Sequence, residues 1–255
     1  MMSQKHENYE LLNLLGYGLA KFDNDFIKEF GCKTKTEFFN FFVDNNIVKT
    51  ASVVKNRMDL FDYFFPQNPR KGWWQKGDAY IHRKHLIDSL FGDENVAGFT
   101  NIVKLMLKKE YHIELAHKVS PLLETKFKKM QSTGFEAELY FLHNYNEIEI
   151  LQNGTITDAR LYGDGYDFFV KTAKNEFLCE IKGIREASGS LRLTQNEFEK
   201  AQDFKDTYLL VVVMDLQNNP KFKSILNPLE NLKFKEKIIA QKELKEYHLL
   251  GSLAV

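Results

Sequence analysis

The chain has 255 residues, 44% of them hydrophobic, and a formal net charge of zero at pH 7. This suits one large or two small globular domains and excludes a disordered polypeptide. Two cysteines, Cys32 and Cys179, exclude a disulfide framework and a cysteine-based zinc cluster.

The N-terminus lacks the apolar region of a signal peptide, and no apolar run approaches the length of a membrane span, so a cytoplasmic protein with no membrane partner is expected. The zero net charge conceals an asymmetry. Residues 1–130 carry 20 Lys/Arg against 16 Asp/Glu, and residues 131–255 carry 15 against 19. A basic first half beside an acidic second half is compatible with one part that grips nucleic acid and another that holds a metal.

Residues 6–65 read as helical, because "YELLNLLGYGLAKF" and "TKTEFFNFFVDNNIV" repeat apolar residues at three- and four-residue spacing. Thr34 or Thr36 is a natural cap for the second run, with Glu37 in its first turn. "FFPQNPRKGWWQKGD" (64–78) has the prolines and glycines of a loop, and two further helices are expected on either side of Gly92–Gly98. Residues 117–133 read as a basic linker, after which the pattern changes. Residues 134–145 predict a helix. Strands are expected over 147–152, 166–172 and 176–183, then a helix over 193–204 and a fully buried strand over 207–215. The fold expected is α/β, or α+β overall: a mainly helical domain over 1–130, then an αβββαβ core with a mixed sheet over 131–255.

The chemistry concentrates in "LYGDGYDFFVKTAKNEFLCEIKG" (161–183), which sets charge beside buried-strand sequence. Charge near a core is costly unless paired or metal-bound. Residues two apart on a strand share a face, so Glu180 and Lys182 point the same way. A hairpin through "TAKN" (172–175) would bring Asp167 alongside Glu180. Two converging carboxylates repel unless a divalent cation lies between them. Hard oxygen donors of this kind suit Mg²⁺, with Mn²⁺ as a substitute. A lysine beside the metal can orient or help deprotonate an attacking water.

These residues carry a resemblance. "GYDF…CEIK" resembles the D…(E)xK signature of the PD-(D/E)XK, or restriction-endonuclease-like, nuclease superfamily, with Tyr166 in place of its proline. More closely, "GFEAELYFL", "GYDFFV", "EFLCEIKG" and "LTQNEFEKAQDFKDTYLLVVV" resemble the nuclease-like domain named after the C-terminus of the NO VEIN protein, which recurs in restriction and phage-defence proteins. The likeness covers about residues 130–215. It implies Asp167 and Glu180 as Mg²⁺ ligands, Lys182 as the residue positioning the water, and a supporting helix glutamate, Glu138, with Glu136 as the alternative. It also implies products ending in a 3′-hydroxyl and a 5′-phosphate. Glu197 has two readings that do not exclude each other: a capping box with Thr194, and a place in the site.

For DNA contact the candidates are Arg70, Lys71, Lys76, Arg83 and Lys84, interleaved with Trp73 and Trp74, and then Arg185, Arg192, Gln195 and Asn196 near the site. Cations can follow phosphates while indoles stack on bases. Alternatively the tryptophans fill a core or an interface, and the loop arginines are merely solvated. The function expected is a type II restriction-type endonuclease that cuts double-stranded DNA, acting as a homodimer because two strands must be cut. The alternatives are a non-catalytic DNA-binding or assembly module, and a defence or repair nuclease with another nucleic-acid target.

Overall fold

The computed structural model describes residues 8–68, 70, 72, 77–78, 80–117 and 120–236. Its first half is helical: α1 (Tyr9–Phe22), α2 (Asn24–Glu29), α3 (Lys35–Asp44), α4 (Ala51–Asp62), α5 (Ile81–Phe91), α6 (Val96–Tyr111) and α7 (Pro121–Met130). Helix α1 is buried around most of its circumference, as suits a helix at the centre of a bundle. Around it gather Phe26, Phe38, Phe42, Phe61, Phe91 and Phe99, largely in edge-to-face contact. Thr34 caps α3 in a capping box with Glu37, which decides between the two threonines.

Residues 117–133, expected as a linker, contain α7. Ser120 caps it, Pro121 opens it, and Leu123, Phe127 and Met130 form one buried face. Its lysines alternate with that apolar stripe at helical spacing, and this is what gives the segment its basic appearance.

The second half is a five-stranded sheet in sequential order. It is preceded by α8 (Thr133–Asn144) and built from β1 (Thr155–Asp158), β2 (Phe168–Lys171), β3 (Glu176–Gly183), β4 (Tyr208–Met214) and β5 (Lys221–Leu226). All pairings are antiparallel except β3 with β4, which are parallel and joined by the crossover helix α9 (Gln195–Phe204). The short helix α10 (Pro228–Asn231) follows the sheet.

The expected strand over 147–152 is absent. Tyr145–Glu147 and Glu149–Leu151 are 3₁₀ turns that bury Ile148 and Leu151, three residues apart, while Ile150 faces solvent. The first strand is instead β1, a four-residue edge with one apolar side chain, Ile156, and the sheet gains a second edge in β5. Exposed Lys221 and Lys223 on β5 suit an unpaired edge.

One face of the sheet packs under α8 through Ala137, Phe141, Phe168, Val170, Cys179, Ile181, Leu209 and Val211. The other carries Leu178 and Tyr208 beneath Ala201 of α9. Gly183 ends β3 where an added Cβ would lie 2.6 Å from the Thr133 carbonyl, so α8 can approach the strand closely.

In the helical half, the Arg70 guanidinium bonds Asp62 through Nε (3.2 Å) and Nη2 (2.9 Å), the Leu19 carbonyl (3.1 Å), and Asp23. Asp62 has no exposed side-chain surface, so Arg70 is the cation that makes its charge tolerable. Arg70→Ala is expected to cost about 3–5 kcal/mol. In urea unfolding this appears as a lower midpoint with an unchanged slope.

Candidate active site

The β2–β3 hairpin closes on the turn 172–175, where the Thr172 and Asn175 backbone groups bond and the Thr172 hydroxyl donates to the Asn175 carbonyl. Phe168 pairs with Cys179 at the end of that register, and Asp167 immediately precedes it, close enough to Glu180 for the two charges to interact. The Asp167 N–H donates to the Cys179 carbonyl (2.9 Å), and the Ile181 N–H donates to Asp167 Oδ2 (2.8 Å). Side chains alternate along β3: Cys179 and Ile181 enter the core under α8, while Leu178, Glu180 and Lys182 take the α9 side. Asp167 precedes β2 at the same end of the sheet, where the charges of Lys182 and Glu197 also act on it.

Glu180 is only 3% exposed. Burial, and then the nearby Asp167 charge, push its carboxyl up to about 9. Burial likewise lifts Asp167 to about 6, against the Ile181 N–H bond and with a further upward push from Glu138. Lys182 Nζ donates to Glu180 Oε1 (2.5 Å) and Glu197 Oε2 (2.7 Å). Burial is the largest single influence on Lys182 and works against its charge, but the two carboxylates outweigh it and hold its pKa above the ordinary value.

Glu197 forms the expected capping box and also bonds Lys182. Its carboxylate accepts the Thr194 N–H (2.9 Å) in a capping box while also holding Lys182. Burial would raise its pKa, yet bonds from Lys182 and Thr194 bring it below the usual value.

Among the described residues, no three His, Cys, Asp or Glu side chains are grouped so as to hold a metal ion by themselves. Asp167, half-buried, and Glu180, buried, supply two hard-oxygen donors whose mutual repulsion a divalent cation would relieve. Mg²⁺ commonly takes one or two carboxylates and completes its shell with water or phosphate, so this donor set fits it. Glu138 lies on α8, where its Oε2 accepts from Arg160 Nη1 (3.0 Å). Glu136 is buried near Arg185, at 3.9 Å, with burial raising it to about 7.

The expected DNA-contact residues separate into groups. Gln195 and Asn196 lie exposed at the start of α9, and Arg192 is exposed just before it. Arg185 instead bridges the two halves, bonding Thr133, the Gln131 carbonyl and Glu10. Arg70 is committed to Asp62 and Asp23. Arg83 is buried, with Tyr9 and Tyr80 rings each 4.3 Å away, and it donates to the Gln217 carbonyl. Lys84 pairs with Asp88. These cations are consumed inside the chain rather than arrayed along a surface. Lys71, Trp73, Trp74 and Lys76 lie outside the described residues.

Two contributors had escaped the sequence reading. Arg160 holds Glu138 and Asp158 together, and the buried Tyr208 hydroxyl donates to the Gly165 carbonyl (2.9 Å), fixing the turn that delivers Asp167. Only the run "TDARLYGDGYD" hinted at the first, and nothing local marks the second.

A carboxyl raised in the folded state stabilises the fold below its unfolded pKa, and that stability is lost as pH rises through the folded value. For Glu180 and Asp167 the loss spans the interval from the ordinary carboxylate range up to about 9 and about 6 respectively. In chelator, Glu180→Gln is therefore expected to gain on the native protein as pH rises from 5 to 9, by up to about 1.4 kcal/mol per pH unit. A Mg²⁺ ion held by this pair would bind its ionised form, so it would raise the melting temperature of the native protein more at pH 8 than at pH 5.5, and that of Glu180→Gln less. Thermal unfolding across pH with and without Mg²⁺ measures both.

Residues 137–225, about a third of the chain, match the family model described as Protein NO VEIN, C-terminal. No curated protein and no solved structure gives a significant match. The matched span runs from α8 to β5 and contains Glu138, Asp167, Glu180, Lys182 and Glu197. The C-terminal half thus carries a segment similar to this family, on a mixed five-stranded sheet.

Proposed function

We propose that the protein is a Mg²⁺-dependent endodeoxyribonuclease of the restriction type, hydrolysing phosphodiester bonds at a specific double-stranded sequence. One observation carries the reading: the buried carboxyl of Glu180 and the half-buried carboxyl of Asp167 lie close to each other and to the Lys182 ammonium, inside the span that matches the family model.

Asp167 and Glu180 would hold the cation. When bound, the cation supplies Lewis-acid stabilisation of phosphate charge and a more acidic water. Lys182, whose pKa is raised, stays an ammonium near neutral pH. It therefore acts as a donor that orients a water or offsets charge on the phosphate, and it does not take up a proton. Glu197 keeps the amine from collapsing wholly onto Glu180 and fixes its direction through the α9 cap. Glu138, held by Arg160, adds negative potential that favours a cation beside Asp167. Arg192, Gln195 and Asn196 stand where a phosphate backbone crossing the site could meet them. Two such sites, in a homodimer, would cut both strands.

A second reading, a nuclease-like fold kept as a DNA-binding module, draws on the closed Glu180–Lys182–Glu197 network and on the lack of a three-donor cluster among the described residues. It expects DNA retention indifferent to Mg²⁺ and to Glu180→Ala.

Plasmid and phage DNA incubated with the protein should be cleaved in Mg²⁺ and left intact in chelator, with Lys182→Ala about 10²–10⁴-fold slower. Cleavage of no substrate, or equal cleavage by Lys182→Ala, would overturn the assignment. Products nicked on one strand, or cleavage confined to RNA, would move it to a repair or RNA-directed nuclease.

A further inference from the structure

The turn between β1 and β2 presents two large apolar side chains to solvent. Leu161 is 98% exposed and Tyr162 is 70% exposed, the highest values for large hydrophobic side chains among the described residues, with Leu122 next at 65%. Neither contributes much to the core, and folding alone gives no reason to place both at one tip. Single exposed apolar residues need no explanation, but two adjacent ones on a fixed support beside a candidate site are a different matter.

The support is fixed at both ends. Ala159 N–H donates to the Asp167 carbonyl (2.9 Å), and Tyr162 N–H donates to the Ala159 carbonyl (2.9 Å). Asn196 Nδ2 donates to the Gly163 carbonyl (2.7 Å), and the Tyr208 hydroxyl donates to the Gly165 carbonyl. Gly165 has φ +82°, and an added Cβ would lie 2.8 Å from the Asn196 carbonyl, so the turn is pressed against α9. Apart from the Tyr162–Ala159 bond within the tip, the anchors are Asp167 itself, the start of α9, which carries Glu197, and Tyr208 on β4, the strand beside β3. The tip therefore stands at a set position relative to Asp167, Glu180 and Lys182.

Its chemistry limits what it can meet. Arg160, the cation at the tip, is engaged by Asp158 and Glu138, and Asp164 beside it is exposed and acidic. The tip is thus poorly suited to gripping a phosphate. Apolar and aromatic surface is what it offers, and a base stack is the apolar part of a nucleic acid.

We propose that Leu161 and Tyr162 form a wedge that enters or stacks on the bases flanking the scissile phosphate. This rests on the nuclease reading given above. A wedge of this kind unstacks a base step locally and holds the strand against the site while the carboxylates face its phosphate. Two side chains alone are too small a patch for a stable interface between copies of this chain, which buries roughly 1,200–2,000 Å² in all.

The test is equilibrium binding of labelled fragments from a plasmid that the native protein cleaves, measured in Ca²⁺, comparing the native protein with a Leu161→Ala/Tyr162→Ala double variant and with Tyr162→Phe. The double variant is expected to keep the native melting temperature and the native salt dependence while losing roughly 5- to 150-fold in affinity. Tyr162→Phe, which keeps the ring, should bind as the native protein does. Fragments carrying 2-aminopurine should brighten on binding the native protein and not the double variant. Native affinity and native cleavage in the double variant would overturn the wedge and leave the nuclease reading standing. A native protein that neither binds nor cuts DNA would remove both. Loss of a dimer in the double variant by sedimentation, with affinity otherwise explained, would make the tip a contact between copies and overturn the wedge.

Discussion

The site depends on holding a buried carboxyl, Glu180, and a half-buried one, Asp167, close together at one end of a sheet. Isolated, each would be expensive to bury, and side by side each makes the other more so. What permits the arrangement is local: the Ile181 amide spends its hydrogen on Asp167, and the Lys182 ammonium reaches both Glu180 and Glu197. Even so, both carboxyls are held far above their ordinary range. The fold retains an electrostatic tension that a metal-free chain leaves only partly relieved. That tension is what the proposed cation would relieve.

The register of β2 against β3 enforces this. A one-residue slip would send Glu180 and Lys182 into the apolar layer beneath α8 and bring Ile181 out beside α9. The hairpin turn, the Tyr208 bond to Gly165 and the close approach at Gly183 all hold that register or the helices on either side of it. A parallel step from β3 to β4 requires a crossover connection, and α9 provides one whose first turn delivers Glu197 to Lys182. The same cap that starts the helix thus completes the ion network.

The helical half uses its charge differently. Arg70 neutralises buried Asp62, Arg83 lies between two tyrosine rings, and Arg185 reaches from the end of β3 to Glu10 on α1. Arg83 and Arg185 link the bundle to the sheet-containing half, since Arg83 also bonds the carbonyl of Gln217, just after β4. Arg70 and Arg83 are thus committed to holding the chain together, because guanidinium groups can satisfy several acceptors at once in confined spaces.

Much of this was legible in the residues alone. Helical spacing revealed α1, α3, α5, α6, α8 and α9, and the strand over 176–183 was read with its observed limits. The alternation of Glu180, Ile181 and Lys182 determined which side chains share a face, because that follows from strand geometry without reference to any neighbour. Short edges were not legible. β1 has one apolar residue and β5 alternates weakly with lysines, while 147–152 imitated a strand although its buried positions lie three apart. Basic residues hid α7, whose apolar stripe becomes meaningful only against the bundle. Tertiary structure alone decided which arginines are free, that Arg160 holds Glu138, and that Leu161 and Tyr162 stand uncovered beside Asp167. Local sequence specifies how a side chain leaves its own backbone. Whether another segment arrives to cover or neutralise it depends on contacts between residues far apart in the chain, and those the order of residues does not reveal by itself.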